Sequence, residues 1–189
     1  MGTLVYSMNI SLDGYIEDPT GDIAFSEPDE EVHRFANDQT RDTAAFLFGR
    51  GLYDVMEEFW TAPERADGEE VEAEFARLYT ETPRIVFSDS LTSVAPGCRL
   101  VRRADAVEEV LRLKAGTDGE LGLGGAGLAA SLIDLIDEFR PSVVPVFCGG
   151  GKPYVPPGTD LRLRLLEQRT FGSGTVYLRY ARLRSSDGV

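Results

Sequence analysis

The chain has 189 residues, 42% hydrophobic and 27% charged, which suits one globular domain and is too apolar for a disordered chain. It carries 32 Asp plus Glu against 19 Lys plus Arg, a formal charge of −13. That balance excludes non-specific binding to nucleic acid or to an anionic membrane, both of which need a basic footprint, but leaves room for a local basic pocket.

Thr3 to Ser11 alternates and is rich in β-formers, so it predicts a strand. Asp13 to Asp22 is loop chemistry with a short extended piece at Tyr15 and Ile16. Pro28 followed by Asp29, Glu30 and Glu31 starts a helix, with acids on the positive end of its dipole and Val32, Phe35 and Ala36 as its apolar face. Ala44 to Phe48 is continuously apolar and predicts a buried strand, broken by Gly49-Arg50-Gly51. Leu52 to Phe59 reads as a helix, and Val71, Phe75 and Leu78 give the next one an apolar stripe with an acidic, solvated face.

Arg84 to Ser88 and Arg99 to Arg102 are strand-like. Asp105 with Glu108 has the spacing of a capping box, and Gly116 suits the end of that helix. Leu121 to Leu123 predicts a strand running into Gly124-Gly125-Ala126-Gly127, after which Leu128, Leu132, Leu135 and Ile136 have helical spacing. Ser142 to Phe147 predicts a buried strand ending in Gly149-Gly150-Gly151, and strands near Leu161 to Leu166 and Thr175 to Leu183 close the chain. Alternating strands and helices imply one α/β domain over 1–189, with a mainly parallel mixed sheet, helices on both faces and an antiparallel C-terminal edge.

No apolar run approaches the roughly 20 residues of a membrane helix. Met1 to Leu12 lacks a basic segment followed by an apolar stretch, so a cytoplasmic location is expected. Cys98 and Cys148 have no ligand-like spacing and read as free, buried thiols. A single histidine, His33, leaves no basis for a His-built metal site or a Ser-His-Asp triad, so no metal is expected; His33 itself reads as a surface residue or one with a satisfied partner.

Ligands of parallel sheets bind at the carboxyl ends of the strands. Three glycine turns follow predicted strands: Gly49-Arg50-Gly51, Gly124 to Gly127, and Gly149 to Gly151. Glycine lets a ligand approach the backbone, and Arg50 adds a fixed donor fork, so together they point to a dinucleotide, although each turn alone is equally a tight strand-to-helix connection. Gly122 to Gly127 has glycine at the first, third and sixth positions, but its first part is predicted strand, so it is a weak dinucleotide fingerprint.

Ser11-Leu12-Asp13-Gly14-Tyr15-Ile16 resembles the start of the reductase domain of bacterial riboflavin-biosynthesis deaminase–reductases. Phe48-Gly49-Arg50-Gly51-Leu52-Tyr53 with Phe59-Trp60 resembles a turn of the dihydrofolate-reductase-like superfamily. Val86-Phe87-Ser88, Gly124-Gly125-Ala126, Leu135 to Glu138, Pro145 to Pro153 and Ser173 to Tyr180 extend the match in order along nearly the whole chain. The resemblance implies a dihydrofolate-reductase-like fold, a stand-alone reductase without a deaminase domain, and a homodimer; the apolar Val143 to Cys148 strand and the C-terminal strands are candidates for the contact, though burial within one chain explains them equally well.

It also implies NADPH as hydride donor for a small heterocyclic or ribosyl-bearing substrate, like a riboflavin precursor or a pterin. By position, Gly49, Arg50, Gly51 and Leu52 would meet the cofactor phosphates, and Gly124, Gly125, Ala126, Gly127 and Leu128 the diphosphate. Ser88 and Asp89 would lie at the adenosine end, and Ile10 and Ile16 beside the nicotinamide. Asp13 is the candidate catalytic carboxylate and also a substrate-side residue with Tyr15, Trp60, Gly149 and Gly150; Asp13 is equally a loop-capping residue before Gly14.

Two departures stand out. Leu52 replaces the usual Thr or Ser, and Asp89 stands where relatives often carry Arg for the 2′-phosphate, so NADH becomes a possible donor unless Arg102 or Arg103 substitutes. No acid of the first helix, whether Asp29, Glu30, Glu31 or Asp38, matches the folate enzymes' proton donor; Asn37 and Asp38 are candidates to face the pocket, but a solvated helix face is the preferred account of them. The alternative to a reductase is a nucleotide-binding protein that keeps the fold without turnover.

Overall fold

One apolar row crosses five strands and fixes the sheet. In the computed structural model, which describes residues 1–184, Ile85, Leu47, Leu123, Tyr6 and Phe139 stand side by side in register. Each is at most 4% exposed. They belong to Arg84–Phe87 (β4), Thr43–Gly49 (β3), Glu120–Gly124 (β6), Thr3–Ser11 (β1) and Glu138–Val144 (β7), all parallel. Cys98–Val101 (β5) adds a parallel edge beside β4. Val176–Arg182 (β10) and Leu163–Thr170 (β9) add the expected antiparallel edge, giving the order β5-β4-β3-β6-β1-β7-β10-β9. Tyr15–Glu17 (β2) pairs separately with Lys152–Pro153 (β8).

Side chains alternate across each strand, so the two faces receive different helices. Ala106–Gly116 (α5) and Ala126–Ser131 (α6) cover the apolar row. Glu30–Thr40 (α1), Arg50–Trp60 (α2) and Glu70–Glu81 (α4) lie on the opposite face, with the short Pro63–Ala66 (α3) against α4. On that second face Phe46 and Phe48 of β3 stand beside Gly122 and Gly124 of β6, then Val5 of β1. Two adjacent positions without side chains make a trough in the sheet.

Several local expectations change. Asp29 does cap α1, accepting from the Val32 N–H at 2.8 Å. Asp105 makes no such bond; a 3-10 turn, Arg103–Asp105, leads into α5 and takes the capping box out of position. The helix expected through Ile136 stops at Ser131, followed by a 3-10 turn, Ile133–Leu135. β7 begins four residues before the expected Ser142 and includes Pro141, which lacks an N–H and hides the strand from a pattern reading. It ends at Val144, before Pro145, so Phe147 is 73% exposed rather than buried. The strand expected at Leu161 to Leu166 runs from Leu163 to Thr170. Cys98 and Cys148 are free, as expected, but only half-buried. Residues 185–189 of the expected domain lie outside the described residues.

Candidate active site at the strand-end rim

Because β4, β3, β6, β1 and β7 are parallel neighbours, their carboxyl ends share one rim. The three glycine turns meet there, with the Asp13 loop between the second and third. Gly49 precedes α2 without a side-chain cap, and the first turn of α2 contains no acid, so its N–H groups are left for an external acceptor. Exposed Arg50 donates from Nη1 to Ser90 Oγ at 2.9 Å and lies 3.2 Å from Asp54. Gly51 has open space where a Cβ would stand.

Leu52 reaches across the next turn. A Cβ on Gly124 would fall 2.5 Å from Leu52 Cδ2, and Gly125 takes φ +90. The residue that departs from the family pattern therefore packs on the glycine turn, and only its backbone can meet a phosphate. Gly127 is exposed, while Ala126 and Leu128 are buried in the core with Ile10 and Ile16. These four buried side chains present little surface beyond their backbone.

Beyond the Arg50 turn, Ser88 is buried and its hydroxyl accepts from the N–H groups of Ser90 and Leu91, both at 3.2 Å. Asp89 Oδ1 accepts the Arg103 N–H at 3.0 Å. The Arg102 guanidinium is engaged by the carbonyls of Ser88, Asp89 and Leu91. The Arg103 side chain has one long contact, 3.5 Å to Ser131 Oγ, so Arg103 rather than Arg102 is the cation available there.

The Asp13 carboxylate accepts from Ser11 Oγ at 2.7 Å, Cys148 N–H at 3.0 Å and Gly149 N–H at 2.7 Å. These bonds, the Ser11 hydroxyl foremost, hold its carboxyl below the usual carboxylate range. The geometry gives Asp13 a structural role, tying the loop after β1 to the loop after β7.

Behind the rim the trough forms a cavity of about 300 Å³ under α1. Its floor is Val5, Ser7, Asn9, Gly122 and Gly124, and Phe46, Phe48, Phe35, Met56 and Phe75 form apolar walls. Neither Tyr15 nor Trp60 is among its lining residues. Trp60 instead packs 4.5 Å from the Phe75 ring and 5.7 Å from His33, closing the junction of α1, α2 and α4. His33 is therefore buried, not at the surface, and burial lowers its pKa although Glu72 and Glu74 oppose the shift. Asn37 also turns away: its Nδ2 donates to the Val71 carbonyl and to Glu74, each at 2.9 Å. Asp38 pairs with Arg41 on the surface.

The sequence reading missed the far end of the cavity. There Arg140, 4% exposed, donates from Nη1 to Glu120 Oε2 at 2.8 Å and from Nη2 to Glu138 Oε2 at 2.6 Å. Gln39 Oε1 accepts from Arg140 at 3.2 Å and from Tyr177 Oη at 3.3 Å. The available signal was Arg140 itself, a lone cation between Phe139 and Pro141. Among the described residues no group of three or more His, Cys, Asp or Glu side chains is arranged to hold a metal, and no helix is long and apolar enough to cross a membrane.

The RibD C-terminal domain family matches residues 2–177. The uncharacterized protein YyaP of Bacillus subtilis (strain 168) is 30% identical over 183 residues, covering 94% of this chain and 93% of that one. Among solved structures, a putative riboflavin biosynthesis protein from Shewanella sp. PV-4 superposes with a TM-score of 0.72 at 22% identity, covering 96% and 99% of the two chains. A Thermotoga maritima deaminase and 5-amino-6-(5-phosphoribosylamino)uracil reductase gives 0.66 at 14% identity, covering 96% of this chain and 57% of that one. Enterococcus faecalis dihydrofolate reductase, complexed with NADP(H) and RAB-propyl, gives 0.65 at 14% identity, covering 96% of each. These structural likenesses establish a dihydrofolate-reductase-like fold, and the match along residues 2–177 establishes that the chain belongs to the RibD C-terminal domain family.

Proposed function

We propose that the chain is a pyridine-nucleotide-dependent reductase of a small planar substrate. The observation that carries the reading is the meeting of three glycine turns and Arg50 on one rim, at the mouth of an apolar trough. Family membership and an NADP(H)-bound structural neighbour support it.

The residues present fit a dinucleotide. The uncapped first turn of α2, with Arg50, suits a phosphate, and Gly51 and Gly127 leave backbone open beside it. Ser90, Asp89 and Arg103 bound the adenosine end. A bound nicotinamide cofactor would supply the hydride. The chain's part is to hold the acceptor against the sheet floor at Val5 and Ser7, exclude bulk water with the Phe46 and Phe48 walls, and admit water at the mouth as the proton source.

Asp89 offers a carboxylate to a free 2′-hydroxyl, while Arg103 offers a cation to a 2′-phosphate. We propose that the two nearly balance, so that dissociation constants for NADH and NADPH fall within about tenfold of each other, under ~1.4 kcal/mol. Parallel fluorescence titrations check this; a preference for NADPH of about a hundredfold would contradict it.

We also propose that the partner is a second copy of this chain. β7 itself lies inside the sheet between β1 and β10, while Val146 and Phe147 beyond its end are exposed. β9 is the outer strand, exposed along its whole length, with Leu163, Leu165 and Leu166 38–49% exposed. An open edge of this kind pairs readily with another edge.

A further inference from the structure

The Gly124-Gly125 turn has no conformational hold of its own. Gly125 takes φ +90, and no side chain caps the helix that follows. Glycine loses more freedom on ordering than any other residue, so something else must fix this backbone. The pairing of β1 with β6 reaches Tyr6 opposite Leu123, and the chain turns away two residues later. There the Gly125 N–H needs an acceptor, because a donor withdrawn from water and left unpaired is costly. Met8, two residues beyond Tyr6 on the same face of β1, supplies it: its Sδ accepts the Gly125 N–H at 3.4 Å. The Gly125 carbonyl accepts the Ala129 N–H at 3.1 Å, and Leu52 packs against the turn from α2.

Met8 is itself held by the core, packed against the cluster that contains Tyr6, Leu123, Ala126 and Leu128. A leucine there would fill similar space, but only a side chain with an acceptor at the δ position reaches the amide. A thioether does so on a flexible stem without bringing a strongly polar group into the core. The bond has two effects at the rim. It turns the Gly125 N–H inward, so this amide is not among the donors offered to a ligand. It also sets the turn before a ligand arrives, so binding does not have to order a pair of glycines.

We propose that Met8 is a positioning residue for the nucleotide diphosphate: its thioether, reaching from the sheet core to the Gly125 amide, fixes the glycine turn on which the diphosphate rests. This role rests on the reductase reading for the presence of a nucleotide at the rim. The test compares the unaltered chain with Met8→Leu. NADPH is titrated by fluorescence, and ADP-ribose and adenosine 2′-phosphate by its displacement. The Gly125 amide is followed by NMR without ligand. Met8→Leu is expected to weaken NADPH and ADP-ribose about fivefold and to leave adenosine 2′-phosphate, which has no diphosphate, within about twofold. It is also expected to shift the Gly125 amide resonance and speed its exchange. A chain carrying norleucine for methionine, which keeps the side-chain shape and lacks the sulfur, is expected to match the variant. An unmoved Gly125 amide in both altered chains would overturn the proposal, as would a loss for adenosine 2′-phosphate equal to that for ADP-ribose. Equal NADPH affinity in all three chains would overturn the proposal alone. No NADPH binding to the unaltered chain would remove the reductase reading and the proposal with it.

Discussion

At Gly151 the backbone takes φ +119, and a Cβ built there would lie 1.9 Å from the Glu17 carbonyl oxygen. Gly151→Ala therefore combines a strained conformation with a backbone clash and should cost on the order of 3 kcal/mol, read as a fall in urea midpoint; an unchanged midpoint would contradict the geometry. His33 makes a second prediction. Its folded pKa lies below its ordinary value of 6.5, so the unfolded state binds more protons as pH falls through that value. Stability should be fully present above about pH 6.5, decline as pH drops below it, and level off beneath the folded pKa. His33→Phe should flatten that slope. The rim residues Arg50, Gly124 and Gly125 were legible in sequence because glycine after an apolar strand has a specific physical use. The Arg140, Glu120 and Gln39 cluster was not, since its members are 101 and 20 residues from Arg140 and only pairing through the sheet brings them together.

Elements with a consistent apolar pattern were read correctly: β3, continuously apolar, sets Ala45 and Leu47 in one core and Phe46 and Phe48 against another, and α1 turns Val32 and Phe35 to a third. β7 was misread because Pro141 lies within it, and α6 was read too long because Leu132, Leu135 and Ile136 reach the core from a 3-10 turn and an extended residue. The loops after β1 and β7 behave as one unit through Asp13. Asp13→Ala should raise the hydrogen-exchange rates of the Cys148 and Gly149 amides while leaving those of β6 unchanged. Unaltered exchange at those two amides would show that the tie does not hold the rim. The Asp13 assignment also illustrates a limit of motif reading: a loop carboxylate looks alike in sequence whether it serves a substrate or its own backbone.

For the molecule as a whole, the charge of −13 gains a location. Acids gather on α1, α2 and α4, where Glu30, Glu74 and Glu72 pair with Arg34, Arg41 and Arg65. Placing Lys at Leu165 should disrupt edge pairing through β9, lowering the mass seen by light scattering from that of two chains to one; an unaltered two-chain mass would move the contact elsewhere. The reductase reading depends first on the rim holding a nucleotide. Titration of NADPH fluorescence with the unaltered chain and with Arg50→Ala measures this directly. Saturable binding that weakens about tenfold or more in the variant is the expected result. No binding to the unaltered chain, or equal affinity in both, would contradict it.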